Sequence, residues 1–343
     1  MPRRSDELFI YIPRKYETRY KILIDGTDRR TDVLEAKFKK SIAPEVGSFN
    51  IELDNNNGRY TDAFSVGDEV EFQHDFGSGT TTRFKGVIEE IKDEFVSGGG
   101  QKLEVVGSHV AGQLLDRTVI KSYDGTIEAG NIIKDLINNF APSGFTTTNV
   151  ESSTVFPKIS FNAVPLWKAM SDVVKHVGTF DMYVDDDKNV HFFKEGSVKN
   201  DDFAVVLGYT LIELESLGKN TLKVRNKVRV YGEQEGLPVI YTAKNLESQG
   251  KYGVKEHVVK DNSVTSEDEA ESLAEGLIKV TTDTFDVGGG TSLILSSISP
   301  GDFSFIASPI HKIKGRFRFV RFTHVIKAGS IETTEFEVED VRS

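Results

Sequence analysis

The sequence predicts a mainly β protein with an α+β insert: two similar antiparallel β-barrel (tube-like) domains separated by a small α+β domain. Three observations predict it. A pattern running from Phe64 to Val106 returns between Pro300 and Val341. Both copies alternate apolar and polar residues, the period-2 signature of strands with one buried face. Between them lie two stretches whose apolar residues follow helical spacing.

The first copy reads VGDEVEF, a Gly/Thr-rich gap, TRFKGVIEEI and QKLEVVGS; the second reads PGDFSFI, a gap, GRFRFVRFTHVI and TTEFEVEDV. Gly67-Asp68 maps onto Gly301-Asp302 at an offset of 234, while Arg83-Phe84 maps onto Arg316-Phe317 and Leu103 onto Phe336 at 233. One residue of slippage is what a loop insertion leaves. Gly-Asp before each first strand is turn chemistry, since Gly supplies positive φ and Asp bonds its own backbone. Each copy therefore reads as a β-meander. Unrelated antiparallel meanders also look alike, but the shared register of three landmarks favours a duplication.

The length of 343 residues suits two or three domains, and 23 Phe against one Trp with 38% hydrophobic residues supplies real, strand-rich cores. No run reaches the roughly 18 apolar residues of a membrane span, and the start MPRRSDEL lacks the apolar segment of a signal peptide. A soluble product made in the cytoplasm is expected. Absence of cysteine excludes disulfides, Cys-based zinc sites and thiol nucleophiles. The balance of 42 basic against 53 acidic residues, net -11, argues against a dedicated binder of duplex nucleic acid.

In order along the chain, strands are expected at Leu8–Ile12, Tyr20–Ile24 and Ser48–Leu53, with a further segment at Leu34–Phe38 and a turn at Asp54–Gly58. Residues 1–112 form the first barrel. The character changes at 113. Ile132, Ile133, Leu136, Ile137 and Phe140 mark a helix stopped by Ala141-Pro142. A second helix begins at Pro165, carries Leu166, Met170, Val173, Val174 and Val177 on one face, and ends at Gly178. FDMYV and NVHFF then form a hairpin around Asp185–Lys188, completing an α+β domain over 113–200. Residues 201–343 form the second barrel, with strands YTLIELES and TLKVRNKVRVYGE and one helix. The capping box Ser266–Glu269 starts that helix, whose face is Ala270, Leu273, Ala274, Leu277 and Ile278. Asp286–Gly290 reads as a flexible turn, since no Lys-Ser/Thr follows VGGG to make a phosphate loop.

Candidate chemistry is sparse. Asp54, Asn56 and Gly58 have calcium-loop spacing, but the flanking helices and closing Glu of an EF-hand are missing, so a β-turn is expected. Paired carboxylates need one raised-pKa acid and one ionised partner across a cleft. Asp185–Asp187 sits on a hairpin tip, where carboxylates are expected to stay solvated with ordinary pKa values. Glu89 and Glu90 lie within a strand, with one expected outward. His74, His109, His176, His191, His257, His311 and His324 include no pair at metal spacing, and Ser108-His109 has no nucleophile-elbow context. Trp167 is read as core packing, with an interface anchor as the alternative. No catalytic, cofactor or metal residue is therefore assigned, and the chain is read as not an enzyme.

The order of parts, with LDNNNGRYTDAFSVGDEVEF, then FNAVPLWKAMSDVVKHVGTFDMYVDDDKNVHFF, then SPGDFSFIA and GRFRFVRFTHVI, resembles the hub proteins of phage tail baseplates. That group includes late control tail proteins and the hub region of type VI secretion spikes. The resemblance covers nearly the whole chain and rests on turns and packing patterns, without catalytic residues to carry over. It implies a virion structural protein of a contractile injection system: a homotrimer forming a pseudo-sixfold ring. Such a tail tube adaptor joins the tail tube or distal tail protein to the spike or tail-tip protein, with DNA passing through the lumen unbound. Unlike the larger spike proteins of that group, the sequence shows no recognisable needle, lysozyme or peptidase module, so those functions are expected on partners. A tail-associated cell-wall-degrading enzyme using carboxylates, or a carbohydrate-binding host-recognition protein, are the alternatives.

Overall fold

The computed structural model describes residues 19–75, 79–96, 100–153, 155–219, 224–234, 236–261, 264–279, 281, 286–295 and 297–341. The strand expected at Leu8–Ile12 lies outside the described residues, as do Thr221–Lys223 of the TLKVRNKVRVYGE stretch.

The first β unit contains β1 (Arg19–Ile24), the short β2 (Thr27–Asp28), β3 (Val33–Ser41), β4 (Ser48–Asp54), β5 (Glu69–Asp75), β6 (Thr80–Val96) and β7 (Gly100–His109). Its ladders run β1-β5-β6-β7-β4-β3, all antiparallel. Alternation places Phe49, Ile51 and Leu53 of β4 and Leu103 and Val105 of β7 inside. They meet Phe38 and Phe72, whose rings stack at 4.7 Å.

The middle unit holds β8 (Thr118–Glu128), α1 (Ala129–Phe140), β9 (Thr146–Val150), β10 (Val155–Pro165), α2 (Leu166–Val177), β11 (Phe180–Val184) and β12 (Asn189–Lys194). Both helices and the hairpin fall as the spacing predicts, with Gly178 at φ +76° closing α2. Met182, Val190 and Phe192 of the hairpin pack with Ile133, Leu136, Met170 and Val173 of the helices in one core. The antiparallel pair β8-β10, and β9 running parallel to β12, are additions to the sequence reading.

The second β unit begins with β13 (Lys199–Val206) and β14 (Leu211–Lys219). An excursion follows: β15 (Lys227–Gln234), β16 (Leu237–Lys244), α3 (Leu246–Tyr252), β17 (Glu256–Lys260) and α4 (Glu267–Lys279). The unit resumes with β18 (Asp286–Leu293), β19 (Phe303–Ser308), β20 (Ile313–Lys327) and β21 (Thr333–Glu339). The excursion has its own core, in which Leu273, Ala274 and Ile278 of α4 meet Val228 and Val230 of β15. The capping box forms: Glu269 N donates to Ser266 Oγ at 3.3 Å, and Ser266 N donates to Glu269 Oε2 at 3.1 Å. Helix α3 carries no apolar stripe and was not expected. Asp286–Gly290 is strand, not a flexible turn; it pairs with β14 on one side and β21 on the other.

The ladders of the second unit run β13-β19-β20-β21-β18-β14, the order of the first unit strand for strand. Even the turns repeat. Asp68 Oδ2 accepts from Ser65 N at 2.8 Å and Asp302 Oδ2 accepts from Ser299 N at 2.8 Å. Gly67 N donates to Ile88 O and Gly301 N to Phe319 O, and each acceptor strand carries a bulge just beyond that residue. Through the ladders Ile88 corresponds to Phe319, Ile91 to Phe322 and Val105 to Phe336, an offset of 231. The pairing of Arg83 with Arg316 and of Leu103 with Phe336 is thus two residues out. Two residues are one full pleat, so the slip keeps every side chain on its face and leaves no trace in the alternation.

One edge distinguishes the units, since β1 runs antiparallel to β5 whereas β13 runs parallel to β19. Neither unit closes into a barrel on itself among the described residues. The outer edge of β3 goes instead to the later half of β20, with Phe38 opposite His324 and Ala36 opposite Ile326, so the units fuse into one thirteen-stranded open sheet.

Candidate functional site

The middle unit is clamped to the sheet at two buried points of opposite sign. At the first, the β11–β12 turn inserts Asp186 into the first β unit. Its carboxylate accepts from Lys40 Nζ at 2.5 Å, from Lys85 N at 3.0 Å, and lies 3.1 Å from His109 Nε2. Burial alone would raise its pKa, but Lys40 and His109 overcome that and hold the carboxyl far below the usual range. Beside it Asp185 is drawn down to about 2: burial opposes the shift, while His191 and Asn189 bond the charged form. The expectation of a solvated tip with ordinary carboxylates therefore fails for Asp185 and for Asp186, which is only 15% exposed, whereas Asp187 is 77% exposed.

At the second point, Arg318 of β20 projects from the second unit into the middle one, 1% exposed. Its Nη1 meets Asp181 Oδ1 at 2.7 Å and Glu195 Oε1 at 2.6 Å, and Nη2 meets Glu339 Oε2 at 2.8 Å. The three carboxylates hold the guanidinium charged, against the opposing pull of burial. Trp167 makes a third tie: buried in the core, it donates Nε1–H to Pro44 O at 2.7 Å and fixes the β3–β4 connection against α2.

Between these ties opens a groove of about 840 Å³, walled by Pro44, Trp167, Lys175, Phe180, Leu277 and Arg321. Basic side chains take up its carboxylates: Glu45 and Glu337 lie on Arg321, Asp181, Glu195 and Glu339 on Arg318, and Asp172 on Lys168. The group with a raised pKa lies elsewhere: burial pushes Asp302 up to about 6. Asp302 is 3% exposed and bonded to Asn200 and Ser299 within the Gly-Asp turn, which matches a turn role and gives no approach to a substrate.

No family model matches the sequence, and no curated protein matches it. Solved structures do. The tail protein of Neisseria meningitidis MC58 superposes with a TM-score of 0.65 at 13% identity, over 95% of this chain and 98% of its own. The 43 kDa tail protein of prophage MuSo2 from Shewanella oneidensis gives 0.63 at 11% identity over 93% and 97%. The chain has the fold of phage tail proteins. The E. coli c3393 protein, a component of the type VI secretion system, shares it with a TM-score of 0.55 at 12% identity over 94% and 77%.

Within this tail-protein fold the remaining candidates have structural partners. Asp54 Oδ1 accepts from Asn56 N in a turn where Asn57 and Gly58 have positive φ. Glu89 and Glu90 both face solvent, because the bulge between Ile88 and Glu90 releases a residue; Glu89 accepts from Ser108 Oγ and Glu90 pairs with Lys92 at 3.0 Å. His74 and His324 are buried beside Phe72, and burial depresses them to about 4 and about 3. His191 stacks on Tyr183 at 4.4 Å, His176 Nδ1 lies 2.7 Å from Asp172 O, His311 contacts Ser308 Oγ, and His257 is exposed. Among the described residues no group of three His, Asp or Glu has the geometry of a metal site. The two clamps, Asp186 and Arg318, are what sequence reading missed. Asp186 had been placed in the wrong environment, and Arg318 carried no signal beyond being a basic residue in an apolar strand.

Proposed function

We propose that this chain is a structural hub of a phage tail or related contractile injection apparatus: a homotrimer whose six β units form a pseudo-sixfold ring between a sixfold tail tube and a threefold spike or tail tip. The observation that carries the proposal is the duplicated unit with one strand order, joined edge to edge. Three chains of two such units supply six similar surfaces with only threefold symmetry, as a joint between six and three requires. Residues 1–112 and 201–343 are then the tube-like domains, the latter carrying the excursion as an insertion, and 113–200 the α+β domain. Residence in the virion follows, with synthesis in the host cytoplasm.

The polar face of the sheet would line the lumen. Away from the groove it carries Glu52, Glu104 and Glu335 among Lys37 and Lys102. A surface of both signs offers passing DNA no continuous basic track. Native mass spectrometry tests the reading: a trimer is expected, and a stable monomer or dimer at high concentration would overturn it. Purified protein on peptidoglycan should release no soluble product; hydrolysis abolished by one Asp or Glu substitution would favour the wall-degrading alternative.

A further inference from the structure

The seam inside one chain is a template for the seam between chains. Its two sides are the outer edge of β3 and the later half of β20, paired antiparallel from Ser41 opposite Arg321 to Glu35 opposite Lys327. By the duplication, β14 is the counterpart of β3, since each is the strand beyond β4 or β18, and β6 is the counterpart of β20. Both counterparts are bare. Residues 90–96 of β6 bond β7 on one side and no described strand on the other, while among the described residues the one ladder of β14 is with β18, apart from a single bridge from Leu211 to Leu207 at its start. Each chain thus holds one filled seam and both halves of an unfilled one.

We propose that a second copy of this chain fills it: β14 of one subunit pairs antiparallel with residues 90–96 of β6 in the next. The ladders fix the register. Ala36 and Phe38 stand opposite Ile51 and Phe49, as Leu214 and Leu217 stand opposite Gly290 and Gly288. Ile326 corresponds to Phe95 and His324 to Asp93, six and four residues on from the matched bulge residues Val320 and Glu89. Leu214 therefore faces Phe95, and Leu217 faces Asp93. Exposure agrees with this placement. Ile326, covered by β3, is 1% exposed; Phe95, on the same face at the equivalent position, is 78% exposed. A large apolar side chain beside an unpaired strand edge is what a strand-addition interface presents. Three internal seams alternating with three of these close a ring of six units.

This inference rests on the trimeric reading and specifies its contact, so the test must separate the two. The chain has no cysteine, and Phe95→Cys with Leu214→Cys places a pair at directly opposed ladder positions, within disulfide reach. Mild oxidation should give a covalent trimer on non-reducing denaturing gels that reverts to monomer on reduction, while each single variant remains monomeric there. Phe95→Asp alone should weaken association at least about tenfold, with an unchanged circular dichroism spectrum because the site is on the surface. A trimer by native mass spectrometry that neither cross-links through this pair nor loosens with Phe95→Asp would overturn the ladder and leave the trimer standing. A monomer would overturn both.

Discussion

The two β units share a strand order yet hold the middle unit by opposite means. The first receives an anion, Asp186, into a cationic pocket; the second sends a cation, Arg318, into an anionic one. Swapping the partners would bring like charges together, so the pair of clamps specifies which unit sits where even though the sheets are alike. A duplicated scaffold thus gains polarity through two residues, without altering its strand order. The cores differ in the same compensated way. Where the first unit sets Ile51 against Val105, the second sets Gly290 against Phe336, moving bulk from one strand to its neighbour.

The sharpest way to break the asymmetry is Arg318→Ala. It leaves three carboxylates around a cavity, and chemical denaturation should show a loss of about 3–5 kcal/mol; a loss under 1 kcal/mol would mean that the cluster holds nothing together. Next comes Gly290→Ile, which gives the second unit the residue of the first. An added Cβ there would lie 2.3 Å from the Glu213 carbonyl and 3.1 Å from the Phe336 ring, so about 3 kcal/mol should be lost. Phe336→Val should relieve only the ring clash, leaving the double variant still destabilised because the carbonyl is backbone. Asp186→Asn keeps the shape of the first clamp and removes its charge, for about 1–3 kcal/mol, less than Arg318→Ala in the same assay.

Acid should sharpen the comparison with the smallest effect. Burial holds His324 at about 3 and His74 at about 4, against about 6.5 unfolded. Between those values the unfolded chain binds protons that the folded chain does not, so stability present above pH 6.5 is lost as pH falls through the window. Asp302, raised by burial to about 6 from 3.8, acts in the opposite sense over part of that range. The net loss from pH 7 to 5 should be about 1–2 kcal/mol, and His324→Gln should flatten the profile measured by thermal melting.

Much of the fold was legible. The meanders showed through Gly-Asp turns and alternation, and the helices of the middle unit through spacing and their stops at Ala141-Pro142 and Gly178. What escaped was set by distant partners. VGGG resembles a turn until Phe336 is known to fill the space its side chains vacate. Asp186 resembles a solvated tip because Lys40, which holds it, is 146 residues away in sequence. The two-residue slip escaped because a full pleat preserves the pattern on which the comparison relied. The bare edges of β6 and β14 became visible only once the ladders had been assigned.

The β3–β20 seam also sets a timetable. Strand β3 ends at Ser41, and its partner residues begin at Arg321. At about 5–20 residues per second, its outer edge waits on the order of half a minute on the ribosome before that partner exists. An unpaired edge is then an invitation to neighbouring nascent chains. Lys37, Lys39 and Lys40 in that strand are the kind of residue that keeps waiting edges apart by repulsion. The lysines that later anchor Glu35, Glu45 and Asp186 thus serve first as guards for an unfinished sheet.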